Sequence, residues 1–279
     1  MLKYRNITFI GAGSMAESMI SGLINKEGIA PEQITAANHS NIQRRIELID
    51  RYGINSLSFD EVTISNTDVI ILAVKPKQAE LVLEQLKPNL QDHHIVLSVL
   101  AGISTGFMEE IIGKKLPVIR VMPNTSSMIG ESITGISAGQ YVNNEHLDLA
   151  QELSEAIGKV KVISEKHMDL FTGIAGSGPA YFYYLLEHME EVAVENGMDR
   201  EIARDIAAQT LYGASKMVIE TSNSPADLRR KVTSPNGTTA AGLLALEENG
   251  GGKAIEAAVE NAAERSKTLR EEFEKVPVK

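Results

Sequence analysis

Cysteine and tryptophan are both absent from the 279-residue sequence, and only 5% of its residues are aromatic. Without cysteine there is no disulfide framework, no thiolate nucleophile and no sulfur-liganded zinc, and a cytoplasmic address is expected. Basic residues are also in short supply: 27 Lys and Arg face 37 Asp and Glu, a formal charge of −10. Polyanions repel such a chain, so neither nucleic acid nor an acidic membrane surface is expected as a partner. An anionic small molecule would need positive potential supplied locally. Long apolar runs are missing too. The clearest, at 69–74, is far shorter than the roughly 20 residues that cross a bilayer, and the strand-like Ile7–Ile10 comes too early to leave room for a secretory leader. The six His residues show no ligand spacing on a shared face, so they read as surface or satisfied side chains and no metal is expected. Acidic pairs such as Glu190-Glu191 and Glu247-Glu248 read as solvated helix faces or helix ends, not as acid/base dyads.

What is present is an ordinary globular composition, 43% hydrophobic, with two different rhythms. Short Val- and Ile-rich runs at Ile7–Ile10, Ile34–Ala37, 69–74, 95–99 and 118–121 alternate with segments long enough for crossover helices. That is the pattern of βαβ units building a mostly parallel sheet with both faces covered. After 160–163 the strand-like runs stop. Phe182, Leu185, Leu186, Met189, Val192 and Ala193 recur at helical steps behind Pro179, which suits a first turn. A second helix starts near Asp199, with Ile202, Ile206, Thr210, Ala214 and Met217 on one face, and further helices are expected at 226–232, Thr238–Glu248 and 253–273. The expected fold is α/β: a mostly parallel sheet domain at 1–163, then an all-α domain at 164–279. A core of about a hundred helical residues is small, so burial against a second protomer is expected and the chain is read as a homo-oligomer.

Gly11-Ala12-Gly13-Ser14-Met15-Ala16 follows the first strand and opens a helix at 14–26. Gly11 serves the tight turn, Gly13 lets a pyrophosphate approach the backbone, and the small Ala16 allows the helix to pack closely on the strand. The helix start then offers unpaired amides and a positive dipole end to phosphates. After the second strand stands Asn38-His39-Ser40-Asn41, without the carboxylate that usually binds a ribose 2′-hydroxyl. NADPH is therefore expected, with NADH as a second option, and His39, Ser40, Asn41 or Arg44 are candidate contacts to a 2′-phosphate. Arg44 and Arg45 could equally be solvated. Lys75 and Pro76 end the third run at the sheet edge where ligands gather; Lys75 is either a cofactor contact or a surface cation. Asn124 and Thr125 occupy the matching edge after the run at 118–121 and offer neutral hydrogen bonds to a nicotinamide amide or to substrate.

A second candidate site lies at 232–242, which reads as loop, cap and helix. Ser234 and Thr238 are cap-type residues, Gly237 permits a positive φ, and the next amides have no intrahelical acceptor. Such a helix start can hold a carboxylate without Lys or Arg.

Four segments in order resemble the pyrroline-5-carboxylate reductase family across nearly the whole chain. They are Phe9 to Ala16; Arg120-Val121-Met122-Pro123-Asn124-Thr125; Gly176-Ser177-Gly178-Pro179-Ala180-Tyr181-Phe182; and Asp227 to Leu243, with Thr233-Ser234-Pro235-Asn236-Gly237-Thr238-Thr239 at its heart. The resemblance implies a Rossmann-like dinucleotide-binding domain followed by a helical dimerisation domain, active sites built between protomers, and NAD(P)H-dependent reduction of a C=N bond in proline biosynthesis. It implies substrate-carboxylate contacts at Ser234, Gly237, Thr238 and Thr239, with the Thr239 hydroxyl on the ring nitrogen as the catalytic contact. Cofactor contacts are implied at Gly11, Gly13, Ser14, Met15, Ala16, Lys75, Pro76 and Asn124, with the 2′-phosphate near His39 and Ser40. The chain departs from the common family pattern at His39, Ser126 and Asn236, where Arg nearby, Pro and Gly are usual. The 3-hydroxyacid dehydrogenases share the layout but resemble a Gly-rich helix carrying a catalytic Lys, and 176–196 contains no Lys.

Overall fold

The structure, a computed structural model, describes residues 2–274. In chain order the elements of the first 171 residues are β1 (Ile7–Ile10), α1 (Ser14–Asn25), β2 (Ile34–Ala37), α2 (Ile42–Tyr52), β3 (Asn55–Leu57), β4 (Val69–Leu72), α3 (Ala79–Leu86), β5 (Ile95–Ser98), α4 (Thr105–Ile112), β6 (Val118–Met122), β7 (Ser132–Ala138), α5 (Asn144–Glu155), β8 (Gly158–Val162) and α6 (Met168–Phe171). The strands form one eight-stranded sheet in the order β3-β2-β1-β4-β5-β6-β7-β8. Every pair is parallel except β6 with β7. β1, β4, β5 and β6 are buried along their whole length, because α1 and α5 cover one face and α3 and α4 the other. Phe9, Ile119 and Val121 pack with Met19, Leu23 and Leu153 on one side; Ile70, Leu72 and Val96 pack with Leu83, Met108 and Ile112 on the other. Each such side chain taken fully out of water contributes about 1.5–3 kcal/mol.

The chain leaves β1 toward β2 on one side and returns to β4 on the other, so a crevice opens at the carboxyl ends of β1 and β4, where open α/β sheets bind ligands. β3, β7 and β8 were not expected as strands. β7 carries Ser132, Thr134 and Ser137 inward, each satisfied locally: Ser132 Oγ meets Thr134 Oγ1 at 3.3 Å, and Ser137 Oγ donates to the Ile163 carbonyl at 2.7 Å. Two buried histidine nitrogens are likewise filled. His94 Nδ1 accepts from Gln91 N–H, so Nε2 carries the proton donated to the Ile64 carbonyl at 2.8 Å.

The remaining helices are α7 (Gly178–Glu195), α8 (Arg200–Glu220), α9 (Pro225–Lys231), α10 (Thr238–Glu248) and α11 (Gly251–Glu274). Contacts divide the chain into two compact units, one of Met1–Ser177 with the described residues from Asn261 on, the other of Gly178–Glu260. This differs from the expected division at 163/164. Residues 164–177 stay with the sheet: Arg120 pairs with Glu165 at 2.9 Å, Asn124 Nδ2 donates to the Ala175 carbonyl at 3.0 Å, and Phe171 lies so close over Gly135 that a Cβ there would meet the ring at 2.9 Å. The end of α11 joins them through Ser266 and Arg270, which meet Asp169 at 2.9 and 3.1 Å.

In the second unit α7 and α8 form a hairpin that turns at Gly197, φ +87°, with Asp199 capping α8 by accepting from the amides of Glu201 and Ile202. Glu190 is a correction to the solvated-face reading. It is buried on α7 and held by Arg200 and by Arg204, whose Nε donates at 2.8 Å. Hydrogen bonds from Arg204 and Arg200 keep its carboxyl below the usual carboxylate range.

Candidate functional site

At the β1–α1 turn, Gly11 has φ +113°, and a side chain there would run into the Ala73 carbonyl at the end of β4. Both constraints require glycine. Gly11 N–H donates to the Ala37 carbonyl at 2.9 Å, and Ala73 N–H to the Ile10 carbonyl at 2.8 Å, so the turn is tied to the ends of β2 and β4 at once. Gly13 is the N-cap of α1, in extended conformation, and no side chain caps the helix. A Cβ at Gly13 would meet nothing within 4 Å, which leaves an open approach to the backbone. The amides of Ser14, Met15 and Ala16 have no intrahelical acceptor in this geometry. A pyrophosphate fits that cradle.

The other expected cofactor residues gather at the same edge. After β2, Asn38 Oδ1 accepts from the amides of Ser40 and Asn41 at 3.2 and 3.0 Å, a turn that leaves His39 and Ser40 exposed. After β4, Lys75 is exposed and Pro76 opens a single 3₁₀ turn. After β6, Asn124 is buried: its Oδ1 accepts from Ser126 N–H at 3.2 Å and its Nδ2 donates to Ala175. Half of its amide capacity is thus committed to holding the turn. Ser127 Oγ lies 3.6 Å from Met15 Sδ and joins this turn to α1.

Arg44 departs from the solvated reading, and its donors are engaged within the protein. Its Nε donates to the Ala12 carbonyl at 2.8 Å, and its other nitrogens meet Glu17 and Glu47. Glu17 was not singled out from the sequence. It is the acidic residue in the first turn of α1, and its charge competes with any anion at the open amides unless cations pair with it.

The second group of residues lies in the α9–α10 turn. Gly237 N–H donates to the Ser234 carbonyl at 3.1 Å, with Pro235 and Asn236 between them and Asn236 at φ +57°. This is the turn chemistry of Pro followed by a left-handed residue. Two expectations are corrected. The N-cap of α10 is Gly237, not Ser234 or Thr238, and it has φ −82°. The positive φ belongs to Asn236, which tolerates it better than most residues. A Cβ at Gly237 would meet Ser234 Oγ at 2.4 Å, so a side chain there would push that hydroxyl into another rotamer. Thr238 and Thr239 are therefore the first helical positions, and with Ala240 they present amides that no side chain caps. Thr233 Oγ1 is spent on the Arg229 carbonyl at 2.6 Å, whereas among the described residues the hydroxyls of Ser234, Thr238 and Thr239 are uncommitted. An anion with a hydrogen-bonding neighbour atom suits that arrangement.

The chain is 52% identical over 271 residues, 97% of its length and 91% of the relative's, to pyrroline-5-carboxylate reductase 1 of Bacillus spizizenii. The chain belongs to the pyrroline-5-carboxylate reductase family. Pyrroline-5-carboxylate reductase 2 of Bacillus subtilis is 41% identical over 96% of each chain. Residues 165–269 match the family described as pyrroline-5-carboxylate reductase dimerisation, and residues 6–102 the one described as NADP oxidoreductase, coenzyme F420-dependent. Among solved structures, the pyrroline-5-carboxylate reductase of Coxiella burnetii superposes with a TM-score of 0.88 at 34% identity, covering 95% of this chain and 98% of that one. Pyrroline carboxylate reductase of Plasmodium falciparum, solved with NADP bound, gives 0.87 at 30% identity, covering 97% of this chain and 100% of that one. The Rossmann-like sheet domain and the all-α dimerisation domain expected from the sequence are both present in the family and in this chain. Among the described residues no helix is long and apolar enough to cross a membrane.

Proposed function

We propose that the chain is a cytoplasmic NAD(P)H-dependent oxidoreductase that reduces the C=N bond of pyrroline-5-carboxylate to give L-proline. The reading is supported by family membership across 97% of the chain and, above all, by the uncapped amides and free hydroxyls at the start of α10. When bound, the reduced nicotinamide supplies the hydride. Gly11, Gly13 and the amides of Ser14, Met15 and Ala16 cradle the pyrophosphate, and Lys75, Pro76 and Asn124 border the rest of the cofactor. NADPH is the preferred donor, since no carboxylate follows β2 and His39 and Ser40 are open to a 2′-phosphate; NADH is the alternative. We assign dinucleotide binding to 1–163, and dimerisation and substrate binding to 164–279.

The substrate carboxylate is held by the Thr238 and Thr239 amides and the Ser234 hydroxyl, with Gly237 kept small so that this hydroxyl keeps its rotamer. Thr239 Oγ1 orients the ring nitrogen. That nitrogen takes one proton from water, directly or through the hydroxyl, as the carbon takes the hydride, so C=N becomes CH–NH. No nucleophile is required, which suits a chain without cysteine. The protein works as a homo-oligomer, and we infer that its active sites are built between protomers.

Two substitutions test the assignment by kinetics. Thr239→Val leaves the ring nitrogen unpaired and should cost about 1–3 kcal/mol, roughly ten- to a hundredfold in kcat/KM. Ser234→Ala should raise KM for pyrroline-5-carboxylate more than it lowers kcat. Wild-type rates for the first, or an unchanged KM for the second, would remove that residue from the mechanism.

A further inference from the structure

The first turn of α1 contains Glu17, a negative charge on the helix end that receives a pyrophosphate under the reading above. Left alone, it would take up the positive potential of the helix end for itself and repel the ligand. Two arginines from α2 surround it. Arg44 Nη2 contacts Glu17 Oε2, Arg51 Nη1 contacts Oε1 at 2.6 Å, and the Tyr52 hydroxyl donates to Oε1 at 3.0 Å. Arg44 continues from there to the glycine turn itself, where Nε donates to the Ala12 carbonyl at 2.8 Å, and its Nη1 lies 3.4 Å from Glu47. Glu17 and Glu47 together balance Arg44 and Arg51. The Arg44 guanidinium therefore has little net field left to offer a 2′-phosphate.

We propose that Arg44 is a positioning residue for the glycine turn: it fixes the Ala12 carbonyl and neutralises Glu17, and so sets affinity for the pyrophosphate common to NADH and NADPH, not selectivity between them. The chemical logic is geometric. A carbonyl held from the α2 side fixes its own trans peptide, so that the Gly13 N–H points the opposite way, and nothing lies within 4 Å of where a Gly13 Cβ would sit. A carboxylate clamped by two guanidiniums and a phenol is kept from competing for those same amides. Burial opposes the Glu17 charge, but the hydrogen bonds from Arg44 and Tyr52 and the charges of Arg44 and Arg51 outweigh it, and its carboxyl stays below the usual carboxylate range. The brace is thus fully ionised at neutral pH.

This inference rests on the dinucleotide assignment, and titration of purified protein with NADPH and with NADH, followed by nicotinamide fluorescence, separates the two. Arg44→Gln should weaken both dinucleotides by the same factor, about tenfold or more, while the KM for pyrroline-5-carboxylate stays near wild type. Arg44→Lys, a milder change that keeps the charge but cannot reach Ala12 and Glu17 together, should give a smaller loss, again equal for the two. Adding Glu17→Gln to Arg44→Gln should recover part of the affinity, because the uncompensated charge is gone. A loss confined to NADPH, or unchanged binding of both by Arg44→Gln, would overturn the inference while leaving the site intact. Wild-type protein that binds neither dinucleotide would remove the site and the inference with it.

Discussion

At the scale of single residues, the loop before α10 shows how a local conformation and a chemical role are divided between neighbours. Asn236 takes the left-handed backbone, Gly237 clears space for Ser234, and Thr239 keeps a free hydroxyl. Replacing Asn236 by Ala should destabilise the protein by at most about 1 kcal/mol, because Ala lacks the short polar side chain that eases left-handed backbone, whereas Asn236→Gly should be tolerated. Thermal unfolding of the two variants checks this, and equal stability would mean that the turn relaxes. The types and spacing at 232–242 were enough to recognise a turn followed by a helix start. Which residue capped the helix was not legible, because Ser, Thr and Gly are all good caps and only the Pro235–Asn236 turn decides among them. Arg44 was ambiguous for a similar reason: a charge on an amphipathic helix reads as solvated until its partner on another helix is known.

Among the elements, the strands that could be read were β1, β4, β5 and β6, buried along their whole length and rich in Val and Ile, and β2, whose Ile34–Ala37 is nearly so. β3 is three residues of mostly polar edge, β8 alternates Lys with Val, and β7 carries Ser, Thr and Gly inward, so none offers an apolar run. The helices of the second half were readable from period alone; Asp199 marks the start of α8 as expected, and α9 opens at Pro225, one residue before the expected 226. Their apolar stripes, however, stay uncovered in one chain. On α7, Phe182 is 51% exposed and Val192 60%; on α8, Ile202 is 55% exposed. Faces this apolar belong against another protein surface. Leu185→Glu on α7 should therefore shift the protein toward smaller species in sedimentation or light scattering, and an unchanged assembly would exclude that face from the interface.

For the molecule as a whole, the two units differ in how they are stabilised. The sheet unit has a layered core on each face, while in Gly178–Glu260 the buried residues are Gly178, Glu190, Ala203 and Ala207. Two alanines and a paired carboxylate bury too little apolar surface to offset the ordering of that many residues, so the helical half depends on association. Folding, assembly and substrate binding are then linked through the same helices. The central claim is hydride transfer to a cyclic imino acid held by the start of α10. Incubating purified protein with NADPH and pyrroline-5-carboxylate, and measuring proline formed against NADPH consumed, tests it most directly. Steady turnover with one proline for each NADPH is the predicted result. Dinucleotide binding without proline formation would contradict it and mark the chain as a nucleotide-binding regulator on the same fold.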